Sequence, residues 1–154
     1  MKRIHDGAIG DVVGGSVYWH QGGLWSHQKQ ASWTDTEWQM RNWLYFVWLS
    51  GDHIVEQNIH NIDVINWFMN DHPVRAAGIS AVFDKRDGLG DIHDHFAVNY
   101  EYANGVLSSN TCVQVDGVVG DVSETIRGTK RPNIFDASGN ALEWTEHGTL
   151  KSSN

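Results

Sequence analysis

Residues 53–69 read HIVEQNIHNIDVINWFM, and this stretch predicts the main helix of the chain. At about 100° per residue, its aliphatic side chains together with Phe68 cover one broad face of an α-helix. A narrower stripe on the other side contains His53, Glu56, His60, Asp63 and Trp67. The run from Asn70 to Pro73 ends the helix, because the residue before a proline avoids helical backbone angles.

Upstream of this helix, the pattern predicts one strand, one long loop and another helix. Residues 12–21 are rich in β-forming side chains, whereas residues 21–34 are mostly polar and contain two glycines and two tryptophans. Thr34 and Glu37 have the spacing of a capping box. A helix is therefore expected over residues 37–49, ending before a Ser-Gly pair.

Downstream of residue 73 the pattern changes from helices to strands. The pair Asn104-Gly105 lies between two alternating runs, which is a strong short-range signal for a β-hairpin. The predicted strands cover residues 74–83, 92–102, 106–115, 122–128 and 134–135.

This order, a strand followed by two helices and then by strands in hairpins, is typical of an α+β domain. We expect a single domain over residues 1–154, built as an open, mostly antiparallel or mixed sheet with helices on one face. Residues 1–10 and 147–154 are expected to be frayed.

Composition excludes several classes of function. A net charge of −8 and the absence of a basic cluster argue against a nucleic-acid partner. The longest apolar run covers residues 43–49, far short of the roughly 20 residues that span a bilayer, so no membrane partner is expected. A single cysteine, Cys112, excludes an internal disulfide and fits a reducing compartment, so a cytoplasmic location is expected. Eight tryptophans indicate a large buried surface, a stacking site or a subunit interface.

The polar stripe of the main helix carries the best candidate chemistry. Glu56 and His60 are four residues apart, so they are neighbours on a helix surface. A carboxylate beside an imidazole raises the basicity of the ring and orients it, which gives an acid/base unit near neutral pH. An ordinary polar face with satisfied histidines is the alternative interpretation.

Other site classes have weaker support. His53, Glu56 and His60 could meet at a cation, as could His93 and His95 on one strand face, but we expect no metal because neither set has an established ligand spacing. The loop tryptophans, Trp25 among them, suit either carbohydrate stacking or a packed interface. The stretch from Gly88 to His93 lacks the third glycine of a dinucleotide motif and precedes a strand, which removes the context that the motif requires.

Residues 51–63, GDHIVEQNIHNID, resemble the active-site helix of the Gfo/Idh/MocA family, named after glucose–fructose oxidoreductase and inositol dehydrogenase. His60 matches the family histidine, Asp63 the aspartate that follows it, and Glu56 the acidic residue four positions before it. Glu56 stands where aspartate is usual, and Asn58 where glycine is typical. Residues 37–53 resemble a subgroup of dehydrogenases, and the resemblance extends over most of residues 5–145.

This resemblance implies a two-domain parent in which a Rossmann domain holds NAD or NADP and a second domain carries the substrate site. The chain corresponds to the second domain and lacks the Rossmann domain. It is therefore expected to bind no cofactor by itself and to be inactive alone. His60 would be the catalytic acid/base and Glu56 its partner, in hydride transfer from a sugar-like or polyol hydroxyl carbon or in glycoside cleavage through transient oxidation.

The resemblance also implies partners. The expected substrate contacts are His20, Trp25, Arg41, Asp52, His53 and Asp63, and the expected substrate is a small carbohydrate-like molecule. Family members pack through the open sheet face, so a homo-oligomer is expected. A non-catalytic sugar-binding or dimerisation module is the alternative function. A periplasmic location is the alternative if the part preceding residue 1 carries an export signal.

Overall fold

The computed structural model describes residues 2–84, 86–130, 134–135, 141–144 and 150–152. The helices are α1 (Lys2–His5), α2 (Asp35–Arg41), α3 (Val47–Ser50), α4 (His53–Glu56) and α5 (Ile59–Met69), with 3₁₀ turns at Trp43–Tyr45 and Arg86–Gly88. The strands are β1 (Val12–Gln21), β2 (Pro73–Ala81), β3 (His95–Tyr102), β4 (Leu107–Gln114), β5 (Asp121–Gly128), β6 (Ile134–Phe135), β7 (Ala141–Trp144) and β8 (Leu150–Ser152).

Strands β1 to β5 form one sheet in the order β2-β3-β4-β1-β5. β1 runs parallel to β4 and antiparallel to β5, while β3 is antiparallel to both β2 and β4. β6, β7 and β8 form a separate antiparallel sheet. The prediction of an open mixed sheet in an α+β fold is therefore confirmed.

The five-stranded sheet has two different faces. Gly15 of β1 lies beneath α5, where a Cβ atom would come within 2.8 Å of Ile65 Cδ1. Trp19 shares that face, because side chains alternate along a strand, and its ring centroid lies 5.6 Å from that of His60. We call this side the helix face and the opposite side, which carries Tyr18 and His20, the open face.

Two apolar clusters form the core. The larger lies between α5 and the helix face, and the smaller holds the segment after α2 against the chain before β3. The first consists of Ile4, Ile9, Val17, Ile65, Tyr102 and Ile126, and the second of Leu44, Tyr45, Phe46 and Ile92. Cys112 is fully buried within the sheet, and burial raises the pKa of its thiol to about 12, so it is inert as a nucleophile.

The helix predicted over residues 53–69 is not continuous, since α4 and α5 are separated by Gln57 and Asn58. Both residues donate their backbone N–H to the carbonyl of His53, at 3.1 and 3.2 Å, which widens the turn. The Asn58 side chain is buried, and its Nδ2 donates to Asn110 Oδ1 at 2.8 Å. This contact with a distant strand accompanies the break, and local periodicity does not reveal it.

The helix predicted over residues 37–49 is also divided, into α2, a 3₁₀ turn and α3. Its start is confirmed, because Thr34 Oγ1 accepts the backbone N–H of Glu37 at 3.1 Å. The buried Asn42 follows α2, and its side chain bonds both the N–H and the carbonyl of His27. The predicted stop is confirmed at Gly51, whose φ of 74° caps α3.

The strand prediction is largely confirmed. Gly105 has a φ of 82°, and its N–H donates to the carbonyl of Tyr102 at 2.9 Å, which closes the predicted hairpin. β3 begins at His95 rather than at residue 92, because the buried Asp94 carboxylate accepts backbone N–H groups from the turn after β2.

The expectation that residues 1–10 and 147–154 are frayed stays a prediction, and residues 1, 147–149, 153 and 154 lie outside the described residues. Lys2–His5 is helical, and Ile4 and Ile9 are part of the larger core cluster. Leu150–Ser152 pairs with β7. Local composition does not reveal these contacts, because each depends on a partner elsewhere in the chain. Among the helices that the structure describes, none has the length and apolar character needed to cross a membrane.

Candidate active site

His60 lies on the first turn of α5 and is exposed on its surface. Its ring is tilted by 35° against the ring of Trp19, which forms one wall beside it. Glu56 ends α4 on the other side of the wide turn, half-buried, and accepts a hydrogen bond from the side chain of Gln57. Within the described residues no hydrogen bond or ion pair joins Glu56 to His60. The two groups therefore stand on adjacent helices as a candidate acid/base pair without direct contact.

The start of α5 is anchored to the helix face by two asparagines. Asn58 bonds Asn110, as described above. Asn61 Nδ2 donates to Glu124 Oε1 at 2.6 Å and lies 3.3 Å from the carbonyl of Tyr18. These bonds fix the backbone on both sides of His60.

The sequence interpretation did not include Asn61 or Glu124 in the site. Burial raises the pKa of Glu124 above its ordinary value. These residues carry no local signal, since only the folded sheet brings them together. Asn58 did carry a local signal, because it replaces the glycine that is typical at this position of the family's active-site helix.

His53 was predicted to contact substrate, but the structure buries it beneath α4 at 1 % exposure. Burial, together with the nearby Arg86 guanidinium, lowers its pKa to about 4 and outweighs the Asp94 carboxylate. The backbone of Val113 approaches the ring without hydrogen-bond geometry. His53 is thus a neutral interior residue, out of reach of a ligand at the His60 surface.

Asp52 was also predicted to contact substrate, and in the structure its carboxylate accepts hydrogen bonds from two backbone segments. Its Oδ1 accepts the backbone N–H of His53 at 2.7 Å and that of His93 at 3.0 Å. The residue has a φ of 82°, a conformation that costs free energy for a side chain other than glycine. Asp52 therefore joins the start of α4 to the segment before β3.

His20 lies on the open face, opposite to the side that carries His60. Its Nε2 lies 2.9 Å from Thr111 Oγ1, and it packs edge-on to Tyr18. The structure therefore does not bring His20 together with the candidate pair. The sequence predicts that His20 lies on a strand and His60 on a helix, but it does not predict the face of the sheet on which each residue lies.

Trp25 and Arg41 lie on the long loop and on α2. Trp25 is 45 % exposed and contacts the ring of Trp43 at a centroid distance of 6.2 Å. Arg41 pairs with Glu37 at 2.9 Å and lies over the ring of Trp33. Asp63 is exposed one turn after His60 on α5. Trp25, Arg41 and Asp63 are therefore all accessible to a ligand. The contacts of Trp25 and Arg41 are with residues of the same loop, of α2 and of the turn after α2.

The geometry does not support the metal alternatives. His53 is buried whereas His60 is exposed, so these two side chains do not share a site with Glu56. His95 Nδ1 bonds the buried Asp94 at 2.6 Å. Burial raises the pKa of Asp94, but hydrogen bonds from Asp84, His95 and Phe83 outweigh it and lower the pKa overall. Across the described ranges, no three His, Cys, Asp or Glu side chains are grouped as metal ligands.

The Gly88–Gly90 turn also does not form a dinucleotide site. The Gly88–Gly90 turn leads into β3 without a helix, and Gly90 packs directly on the backbone of Tyr45, with no room for a phosphate between them.

Comparison with known proteins decides the family. The family profile described as the GFO/IDH/MocA C-terminal domain matches residues 1–131. This chain belongs to the Gfo/Idh/MocA family. No curated protein matches the chain in sequence.

Solved structures share the fold at low sequence identity. The aldose-aldose oxidoreductase from Caulobacter crescentus superposes with a TM-score of 0.71 at 13 % identity, covering 99 % of this chain and 42 % of that one. The myo-inositol 2-dehydrogenase from Lactobacillus plantarum gives 0.59 at 19 % identity, covering 90 % and 41 %. A super-repressor mutant of Gal80p from Saccharomyces cerevisiae gives 0.67 at 17 % identity, covering 99 % and 41 %. The Gfo/Idh/MocA domain described here thus spans about two fifths of the length of these relatives.

Proposed function

We propose that this chain is the substrate-side domain of an oxidoreductase that acts on a hydroxyl group of a sugar or polyol. The exposed imidazole of His60, on the first turn of α5 and four residues after Glu56 at the end of α4, carries the proposal. Relatives whose names include aldose-aldose oxidoreductase and myo-inositol 2-dehydrogenase support this substrate class.

In this proposal His60 accepts the proton of the substrate hydroxyl group. An imidazole can act as a general base in this step. The nearby Glu56 carboxylate stabilises the imidazolium that forms, and the ring of Trp19 limits the positions that His60 can take. Oxidation of an alcohol and glycoside cleavage through transient oxidation both begin with this proton removal.

In this proposal only the proton transfer is assigned to this chain. The resemblance points to NAD or NADP on a separate domain as the hydride acceptor. Calorimetric titration of the chain with NADH and NADPH tests this division, and we expect no binding. Tight binding of either nucleotide would mean that the chain holds its own cofactor.

Ligand titration tests the substrate site itself. The ¹⁵N-labelled chain is titrated with myo-inositol, glucose and levoglucosan while the imidazole signals of His60 and the indole signal of Trp19 are followed by NMR. We expect at least one ligand to shift both signals and His60→Gln to weaken its binding. His72, which is exposed at the end of α5, serves as the control signal, and His72→Gln should bind as the unaltered chain does.

A non-catalytic sugar-binding module is the second candidate, since a repressor also has this fold. The exposed ring of Trp25 beside Trp43 favours it, because accessible aromatic rings can stack on a sugar. In that case the titration would shift the signals of Trp25 and Trp43 while those of His60 stay in place.

We also propose that the chain associates with itself through the open face. Ile79, at 79 % exposure, and Leu107, at 58 %, present apolar side chains there. Large exposed apolar side chains on an uncovered sheet face are typical of interfaces. This association predicts that the chain forms an oligomer in solution.

A further inference from the structure

Six polar side chains lie along the helix face on β1, on β4 and on the segment that holds α4 and the turn after it, in what we call the polar seam. The polar seam consists of Trp19, Gln21, His53, Asn58, Asn110 and Gln114. Together they carry eight buried nitrogen or oxygen atoms without a hydrogen-bond partner within residues 2–84 and 86–130. Four of the residues, all except Trp19 and Gln21, are exposed by no more than 1 %.

Strand register makes the polar seam continuous. Gln21 of β1 lies beside Gln114 of β4, and Trp19 lies beside Cys112 between Gln114 and Asn110. At one end Asn58, in the turn between α4 and α5, donates a hydrogen bond to Asn110 of β4. In the middle α4 packs on β4 and places His53 near the backbone of Val113. The unpaired atoms therefore follow one line from the wide turn between α4 and α5 to the end of β1.

Leaving these atoms unpaired is energetically untenable. A buried polar atom without a partner loses its hydration and gains nothing in return. Eight such losses would be comparable to the whole stability of a domain of this size. The polar seam must therefore bond to groups that lie between these side chains.

The chemistry of the unpaired atoms identifies the bound group. The free donors include the indole N–H of Trp19 and the amide of Gln21, and the free acceptors include Asn58 Oδ1 and Gln114 Oε1. Turning the amides of Asn58 and Asn110 together exchanges their roles but still leaves one donor and one acceptor. The ring of a neutral His53 adds one donor and one acceptor. An anion would satisfy only donors and a cation only acceptors, whereas water donates and accepts.

We propose that the polar seam is an internal water-binding site. Ordered water molecules bridge its side chains, in the way that buried water usually makes about three hydrogen bonds to otherwise unpaired groups. One end of the site lies beneath the turn that joins Glu56 to His60, and the site does not depend on the function proposed for those residues.

Magnetic relaxation dispersion of water ¹⁷O tests the site in the full chain, because it detects water held longer than the protein tumbles. We expect a dispersion from the unaltered chain and a reduced amplitude in Gln114→Met, which keeps the length of the side chain but removes its polar atoms. Gln30→Met, at an exposed loop position, is the matched control and should keep the full amplitude.

Urea unfolding gives an independent result for the same variants. If water bridges the polar seam, Gln114→Met leaves its other groups unpaired, and the equilibrium constant for folding should fall at least tenfold, against less than twofold for Gln30→Met. If Gln114→Met does not fold, Gln21→Met at the end of the strand replaces it, with the same expected loss of dispersion amplitude. An increase in stability, or equal dispersion in all chains, would overturn the proposal.

Discussion

Burial holds His53 neutral at physiological pH, with a pKa of about 4 that the Arg86 guanidinium helps to keep low. In the unfolded chain the ring titrates near 6.5. Between these two values the unfolded state binds more protons than the folded state, so the free energy of unfolding falls as the pH is lowered. The stability that depends on a neutral His53 is complete above pH 6.5 and is lost towards pH 4.

We therefore expect acid to destabilise the chain through this residue. Lowering the pH from 7 to 4 should reduce the free energy of unfolding by roughly 3 kcal/mol through His53 alone. Urea denaturation at several pH values measures the loss, and His53→Gln should remove that part of the pH dependence. The exposed His72 provides the control, since His72→Gln should follow the original pH profile.

Glu124 should act in the opposite direction. Its pKa is raised by burial, so the folded state holds the proton more firmly than the unfolded state does. Its contribution to stability is complete below its ordinary pKa and is lost as the pH rises through the raised value. Glu124→Gln keeps an acceptor for Asn61 and should stabilise the chain at pH 7 relative to pH 4. Thermal unfolding at both pH values decides this, and equal effects from Asp63→Asn on α5 would contradict the explanation.

Single residues also show what the sequence did and did not reveal about the site. The exposure of His60 and Asp63 followed from helical periodicity, because α5 keeps that periodicity over its whole length. The burial of His53 did not follow, since α4 is only one turn long and is held by Asp52. The opposite placement of His20 depends on strand register, which local sequence does not contain.

At the scale of elements, capping and turn residues were predictable because they act on their immediate neighbours. Thr34 and Gly51 have the roles that their types predict. The breaks within the two helical segments were not predictable, because Asn42 and Asn58 bond to groups elsewhere in the chain. Buried asparagines within a predicted helix are thus positions where tertiary hydrogen bonds override helical periodicity.

The turn before β3 permits a matched test of backbone packing. Gly88 and Gly90 both have φ near 80°, so alanine strains the backbone at either position. A Cβ atom at Gly90 would lie 2.0 Å from the carbonyl oxygen of Tyr45, whereas nothing lies within 4 Å of one at Gly88. We expect Gly88→Ala to cost about 1 kcal/mol and Gly90→Ala at least about 3 kcal/mol of unfolding free energy. If chemical denaturation gives similar losses of unfolding free energy for the two variants, close packing of Gly90 on Tyr45 does not contribute to stability.

For the whole molecule, the order of elements correctly predicted an α+β fold with an uncovered sheet. It did not predict that β1 lies between β4 and β5, parallel to one and antiparallel to the other. The β-forming side chains of Val12–Gln21 fit either an edge or a central position. Only pairing with residues about a hundred positions away distinguishes them.

The proposed self-association of the open face has a direct consequence for mass in solution. Ile79→Lys places a charge on the edge strand β2 of that face, where desolvating it would oppose assembly. We expect light scattering to show an oligomer for the unaltered chain and a shift towards the monomer for Ile79→Lys. Val119, at 85 % exposure in the loop after β4, is the control, and Val119→Lys should leave the mass unchanged. A monomeric unaltered chain would contradict the proposed interface.

The central position of β1 also governs how the chain reaches its folded state. β1 leaves the ribosome long before Leu107–Gln114 and Asp121–Gly128, the two strands that flank it. At about 5–20 residues per second, it waits several seconds with both edges unpaired. Contacts this distant in sequence also raise the contact order, which slows folding. Synthesis therefore exposes an apolar strand for a defined interval, and a chaperone that shields Val12–Gln21 during that interval would raise the yield of folded protein.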